Sequence, residues 1–144
     1  MLRAVSDRTR WDAIADGSIP LPANENLGFK VENSDEPQKE IAFSWTVPAE
    51  LCNTAGNVQG GVLAAFADAV LGGATSAHLP EDKYPALAEM KLSIFRPSPQ
   101  GTKLTGRGYV VKAGRRVMFA EAEITGPDGK LIAKASGTEI PAEA

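Results

Sequence analysis

The sequence predicts an α+β domain in which one long central helix is wrapped by a curved antiparallel sheet of five to six strands. Residues 60–78 form a helix-length stretch that is apolar around its whole circumference. From residue 85 onward, apolar residues recur with a period of two, in runs separated by turn-forming residues. Size agrees, because 144 residues make one domain at roughly 100 to 200 residues each. With 43% hydrophobic and 23% charged residues, the composition excludes an intrinsically disordered chain and a disulfide-stapled mini-protein.

The elements follow in order. Over Leu2–Ala15, the residues Leu2, Val5, Trp11, Ile14 and Ala15 fall near one side of a helix, with Arg3, Asp7, Arg8 and Asp12 elsewhere; Gly17 and Pro20 end it. The stretch Ile19–Asn26, with Pro20, Pro22, Asn24 and Asn26, reads as an irregular connector able to fold over a site as a lid. Residues 1–26 are therefore expected to form an N-terminal helix and lid-like connector, and residues 27–144 the main domain. From Lys39 the period becomes two, with Ile41, Phe43, Trp45 and Val47 on one face of a half-buried strand that pairs with Phe29–Glu32.

The apolar helix spans Gly60–His78 and is expected to be buried on all sides. It is too short for a membrane span of about 20 apolar residues, and Asp68, Gly72 and Gly73 interrupt it. Beyond it, Ala88, Met90, Leu92 and Ile94 oppose Glu89, Lys91 and Ser93. Leu104–Val111, a run through Met118, Ala120, Ala122 and Ile124, and Leu131–Ile140 follow. Pro97–Gly101, Ala113–Gly114 and Gly126–Gly129 carry the turn chemistry that joins antiparallel neighbours, so this half reads as a meander.

Charge and rare residues narrow the function. Fifteen Lys and Arg against eighteen Asp and Glu give a net charge of −3, which is not the footprint of a nucleic-acid binder. Cys52 is the one cysteine and His78 the one histidine, so no intrachain disulfide and no Cys- or His-rich metal site can form; no cofactor is implied. Arg3, Asp7 and Arg8 stand where a signal peptide needs an uninterrupted apolar stretch, and the expected location is cytoplasmic.

Asp68 is the residue out of place. A carboxylate in an apolar helix must be paired, protonated, or face a wet cavity, because taking it out of water unpaired is costly. Either a cation or backbone group satisfies it, or it serves a site. At helical spacing from it lie Gly61, Ala64, Ala65, Gly72 and Thr75, all small, so its stripe is a groove that receives another backbone, a slender ligand, or both. At the helix entry stands Gln59-Gly60-Gly61. A helix N-terminus exposes unsatisfied N–H donors, and glycines let a substrate approach them; those donors suit a developing oxyanion, although a flexible turn or cap also explains the pair. Gly60 and Asp68 are eight residues apart, about 12 Å along a helix axis. One reacting carbon cannot touch both within one chain. Two such helices, antiparallel across a two-fold axis, would create two composite sites per dimer.

Asn53, Gln59-Gly60-Gly61 and Asp68 together resemble the Asn…His-Gly-Gly…Asp/Glu pattern of hotdog-fold acyl-CoA thioesterases of the PaaI and 4-hydroxybenzoyl-CoA type. Ser93–Pro97 resembles that family's strand ending in Arg-Pro, Lys112–Arg116 its Gly-Arg hairpin, and Gly129–Ala135 its closing strand. The similarity runs from about Leu27 to Ile140. The resemblance implies a hotdog dimer, or a dimer of dimers, that binds an acyl-CoA or carrier-protein thioester between subunits. It makes Asp68 the general base or nucleophile, has the Gly60 amide polarise the carbonyl from the partner chain, and has Asn53 position water or the carboxylate. Gly61, Ala64 and Gly72 would line the acyl groove. Arg96 and the hairpin Gly114, Arg115 and Arg116 would meet the CoA phosphates, unless these arginines are solvated strand ends. Two departures stand out: Gln59 replaces the usual His, and Leu87 stands where some relatives carry Ser or Thr. Gln59 still offers hydrogen bonds but cannot titrate near neutral pH. A non-catalytic acyl-CoA binder is the alternative, and a hotdog hydratase is disfavoured because His78 lies at the far end of the helix.

Overall fold

The computed structural model describes residues 7–32 and 40–144; the start of the predicted N-terminal helix, and the Lys39 end of the first long strand, lie outside them. Helix α1 (Arg10–Ala15) begins at a capping box. The Thr9 hydroxyl accepts from the Asp12 N–H, and the Asp12 carboxylate accepts from the Thr9 N–H at 2.8 Å. The connector is not irregular throughout. It contains a second helix, α2 (Pro22–Leu27), which starts on a proline whose missing N–H costs nothing there and stops at Gly28 in the left-handed conformation, φ 85°.

Strands β1 (Lys30–Val31) and β2 (Ile41–Thr46) are followed by a 3-10 turn (Ala49–Leu51) and by α3 (Gly60–Ser76), which ends two residues before the expected His78. Then come β3 (Lys83–Ile94), β4 (Lys103–Ala113), β5 (Met118–Thr125) and β6 (Leu131–Glu143). They form one six-stranded sheet in the order β1-β2-β4-β5-β6-β3, with every pairing antiparallel. The meander is therefore limited to β4-β5-β6. Residues 97–101 do not join neighbours: they carry the chain from the edge strand β3 across to β4 and lie against the loop before α3, where the Val58 N–H donates to Ser98 O at 2.8 Å. Turn residues specify a change of direction, not which strand comes next.

The sheet curls around α3. Leu63, Phe66, Ala67, Val70, Leu71 and Ala74 are wholly buried against it, together with Phe43, Trp45, Leu104 and Ile124. Phe29, Trp45 and Phe66 cluster in edge-to-face and tilted contacts with centroids 5.1–5.5 Å apart, and Trp11 of α1 meets Phe43 edge-on at 5.6 Å. Two glycines of β4 set how closely helix and sheet approach. A Cβ at Gly106 would lie 2.5 Å from Val70 Cγ2, and one at Gly108 would lie 2.7 Å from the Val70 carbonyl oxygen. Any larger residue there pushes α3 outward.

The expectation that α3 is buried on all sides is not met. Gly61 and Asp68 are exposed, and Gly60, Ala64, Ala65, Ala69 and Gly72 are half-buried, along one open stripe. Alanine and glycine register as apolar in a hydropathy pattern without demanding burial, so a helix with one small-residue face reads as apolar all round.

Candidate active site

Helix α3 positions the site. Its N-cap, Gln59, has extended backbone (φ −62°, ψ 131°) and no side-chain cap, and its carbonyl accepts from the Val62 and Leu63 N–H groups at 2.9 and 3.0 Å. The Gly60 and Gly61 N–H groups thus remain open among the described residues, at the positive end of the helix. Nothing lies within 4 Å of where a Cβ on Gly61 would be, so the backbone there can be approached closely. Asn53 builds the loop that delivers this end: its Oδ1 accepts from the Ala55 and Asn57 N–H groups at 3.0 and 3.2 Å. Its amide group stays at the surface.

Asp68 projects from the open stripe. No cation among the described residues pairs with it. Although the residue is exposed, surrounding atoms displace enough water from its carboxyl to raise it above the ordinary aspartate value of 3.8. A carboxylate lifted by desolvation is a stronger base than one in water. Because α3 is unbroken from Gly60 to Ser76, the amide end and Asp68 stay about 12 Å apart along the axis.

The helix runs antiparallel along the edge strand. Cβ positions on Gly60 and Gly72 would fall 3.6 Å from Ile94 Cδ1 and 3.9 Å from Pro85 Cγ. Asp68 lies between them on the helix, and β3 carries a bulge between Leu87 and Glu89. On the other side of the stripe, α1 and α2 cover a cavity of about 220 Å³ whose walls include Ile14, Leu21, Asn24, Ala69 and Gly72. Leu21 and Asn24 of the connector thus border the stripe at Ala69 and Gly72.

The arginines divide into two groups. Arg96 is tied down: it forks onto Asp128 at 3.2 and 3.3 Å and donates to the Leu131 and Lys130 carbonyls at 3.1 and 2.9 Å, bracing the β5–β6 turn. Arg115 and Arg116 are exposed on the β4–β5 hairpin with Gly114. Gly114 and Arg115 line a cavity of about 260 Å³ with His78 and Lys83, at the C-terminal end of α3. Within one chain, the hairpin and the Gly60 amides sit at opposite ends of the helix. No group of three or more His, Cys, Asp or Glu side chains among the described residues is placed to hold a metal ion.

One further carboxyl does not stand out in the sequence. Glu139 on β6 is 1% exposed, faces α3, and its Oε1 has no hydrogen-bond partner among the described residues. Burial raises it to about 7, with the Asp68 charge as a second cause. The available signal was phase: Ala133, Ala135, Gly137 and Glu139 share the inward face of β6.

A curled antiparallel sheet around a central helix is the hotdog architecture. The thioesterase superfamily model matches residues 55–133, more than half the chain, and the chain belongs to that superfamily. Among solved structures, the phenylacetic acid degradation-related protein of Ralstonia eutropha is 29% identical with a TM-score of 0.83, covering 91% of this chain and 98% of that one. A variant of the phenylacetic acid degradation protein PaaI from Thermus thermophilus is 28% identical with a TM-score of 0.74, covering 83% and 98%. A Streptococcus mutans protein bound to acetyl-CoA shares the fold at 16% identity, with a TM-score of 0.71 over 80% of this chain and 89% of that one. No curated protein matches significantly. No helix among the described residues is long and apolar enough to cross a membrane.

Proposed function

We propose that this protein hydrolyses acyl thioesters of CoA or of a carrier protein, acting as a homodimer or dimer of dimers with two composite sites per dimer. The observation that carries this reading is Asp68: a carboxylate without a cation partner among the described residues, raised by desolvation, on the open face of the helix that also presents the Gly60 and Gly61 amides. In each site, the Gly60 N–H of one protomer donates to the thioester carbonyl oxygen. Asp68 of its partner takes a proton from water as that water attacks the carbonyl carbon, and the oxyanion gains charge against the helix dipole. Collapse of the tetrahedral intermediate breaks the C–S bond, and the thiolate takes up the proton to leave as thiol. Alternatively, Asp68 attacks directly, forms an anhydride and expels the thiolate, and water then cleaves the anhydride.

The remaining residues have roles in this scheme. Asn53 and Gln59 flank the amide end and position water or the carbonyl. Gly61, Ala64 and Gly72 leave room for the acyl group along the open stripe of α3, and at Gly72 this space meets the cavity under α2. Antiparallel pairing of two α3 helices would bring the basic hairpin of one protomer toward the amide end of its partner, where Gly114, Arg115 and Arg116 would meet the CoA phosphates. Arg96 keeps the strand end in shape beside them. The edge strand β3, which exposes Tyr84, Leu87 and Ile94, is the surface along which a second copy would add.

Thiol release from a panel of acetyl-, benzoyl- and phenylacetyl-CoA tests the reading. Wild type is expected to release thiol, Asp68→Asn to release none while keeping its unfolding temperature, and activity is expected to fall at acid pH as Asp68 gains a proton. Full turnover by Asp68→Asn would overturn the assignment. Gln59 in place of His and Leu87 in place of a hydroxyl residue favour one other reading, a non-catalytic acyl-CoA binder. Tight binding without thiol release would establish it instead.

A further inference from the structure

Glu139 has no part in the scheme above, yet it is the buried carboxyl nearest to Asp68. Its place follows from the register. Glu139 pairs with Leu87 on β3 and with Met118 on β5, so the three side chains share the face toward α3. Gly137, the next inward position on β6, leaves space filled by Leu71 and Leu87: a Cβ there would be 2.8 Å from Leu71 Cδ1 and 3.5 Å from Leu87 Cδ1. Leu71 is about one turn beyond Asp68 on α3, and the Asp68 charge is felt at Glu139. Glu139 thus sits one strand in from the edge strand β3, beside Leu87.

Its surroundings contain little else that is charged. From α3 the facing ionisable group is Asp68. From β3 the neighbour is Leu87 and from β5 it is Met118, both apolar. His78, Lys83 and Arg115 line the cavity beyond Met118 and Pro141, and none of them donates to Glu139 Oε1. A carboxyl held out of water with an unused oxygen is costly to maintain.

We propose that Glu139 is a positioning residue for Asp68: the two form an acid pair holding one proton on Glu139, and the protonated carboxyl orients the Asp68 carboxylate toward the thioester. This rests on the hydrolytic reading above. Of the pair, Asp68 ionises first, because it is the less buried; its charge then helps hold the proton on Glu139 up to about pH 7. Above that pH both are charged, Glu139 no longer has a hydrogen to donate, and Asp68 loses its orientation.

Two measurements test the proposal. Carboxyl carbon NMR titration of Glu139, in wild type and in Asp68→Asn, reads the pair without any turnover; the midpoint is expected to fall by at least about half a unit when the Asp68 charge is removed. An unmoved midpoint overturns the pair. The pH profile of kcat/KM for thioester hydrolysis reads the consequence. Wild type is expected to lose activity above about pH 7, whereas Glu139→Gln, which stays neutral and keeps a donor, holds its rate through that range. Glu139→Leu is expected to lower kcat about tenfold at all pH values with KM within about twofold, a loss smaller than removal of the base itself. A Glu139→Gln profile identical to wild type would show a merely structural residue. Absence of thiol release by wild type from every thioester, with the NMR shift intact, would instead sink the hydrolytic reading and the positioning role with it, while leaving the pair standing.

Discussion

The two faces of α3 are built on opposite rules. Toward the sheet, Leu63, Phe66, Val70 and Leu71 are wholly buried, and even the glycines of the opposing strand are crowded. Toward the open stripe, small residues leave space and a carboxylate stands without a cation partner among the described residues. The first face holds the helix where it is. The second is left unfilled, and α3 tolerates that only because its sheet side is overdetermined. Stability and chemistry are thus separated by half a turn of one helix.

The sharpest way to break this comparison is to truncate one residue on each face. Leu71→Ala is expected to cost about 2 to 5 kcal/mol of stability, read as a drop in unfolding temperature. Asp68→Ala, three residues away, is expected to lower kcat at least about 100-fold with the unfolding temperature unchanged or raised, because the fold disfavours that charge. Equal losses of stability in the two variants would show that the faces are not separate.

Glycines give the next contrast. At Gly108 an added Cβ meets the Val70 carbonyl oxygen at 2.7 Å, whereas at Gly61 it meets nothing within 4 Å. Gly108→Ala should cost about 1 to 3 kcal/mol through displacement of α3. Gly61→Ala should cost no stability, and should gain up to about 1 kcal/mol from helix propensity, but it should raise KM for thioesters by crowding the open amide end. Thermal unfolding and steady-state kinetics on the two variants separate the outcomes.

What the sequence shows of this arrangement, and what it hides, follows the same division. Asp68 stands out because a charge interrupts an apolar run, and the strands because their alternation has period two. The open stripe is hidden, since Gly61, Ala64 and Gly72 look apolar whether they are covered or not. Glu139 is hidden for another reason: among Ser136, Thr138 and Glu139 it passes for one more solvent-facing polar residue, and only its inward phase with Ala133 and Ala135 sets it apart. The helix Pro22–Leu27 has no periodic apolar face, and its signals are the proline and glycine that bound it. The crossing from β3 to β4 is a matter of strand order, which local turn chemistry does not encode.

Glu139 makes the helix comparison depend on pH. It binds its proton more tightly folded than unfolded, with its value raised from 4.5 to about 7. Its contribution is therefore fully present below 4.5 and is lost as pH rises toward and past 7. At roughly 1.4 kcal/mol per unit, the loss is on the order of 3 kcal/mol. Denaturant unfolding of wild type should show stability declining from about pH 5 to about pH 8 by this route, and Glu139→Gln should flatten the decline. An unchanged slope would remove Glu139 as its cause.

The smallest effects are expected at the arginines, where the comparison moves from helix faces to strand ends. Arg96 uses its guanidinium on Asp128 and two carbonyls, so Arg96→Ala should loosen the β5–β6 turn and lower the unfolding temperature slightly. Arg115 and Arg116 make no ion pair among the described residues, so alanine at either should leave stability untouched. If they meet phosphate, each should weaken acyl-CoA binding by about 1 kcal/mol or less, and the effect should fade as salt rises. A thioester of pantetheine, which lacks the nucleotide, separates the two explanations: loss of either arginine should leave its KM unchanged. A matching rise in KM for the pantetheine thioester would mean that the hairpin shapes the acyl groove rather than recognising charge.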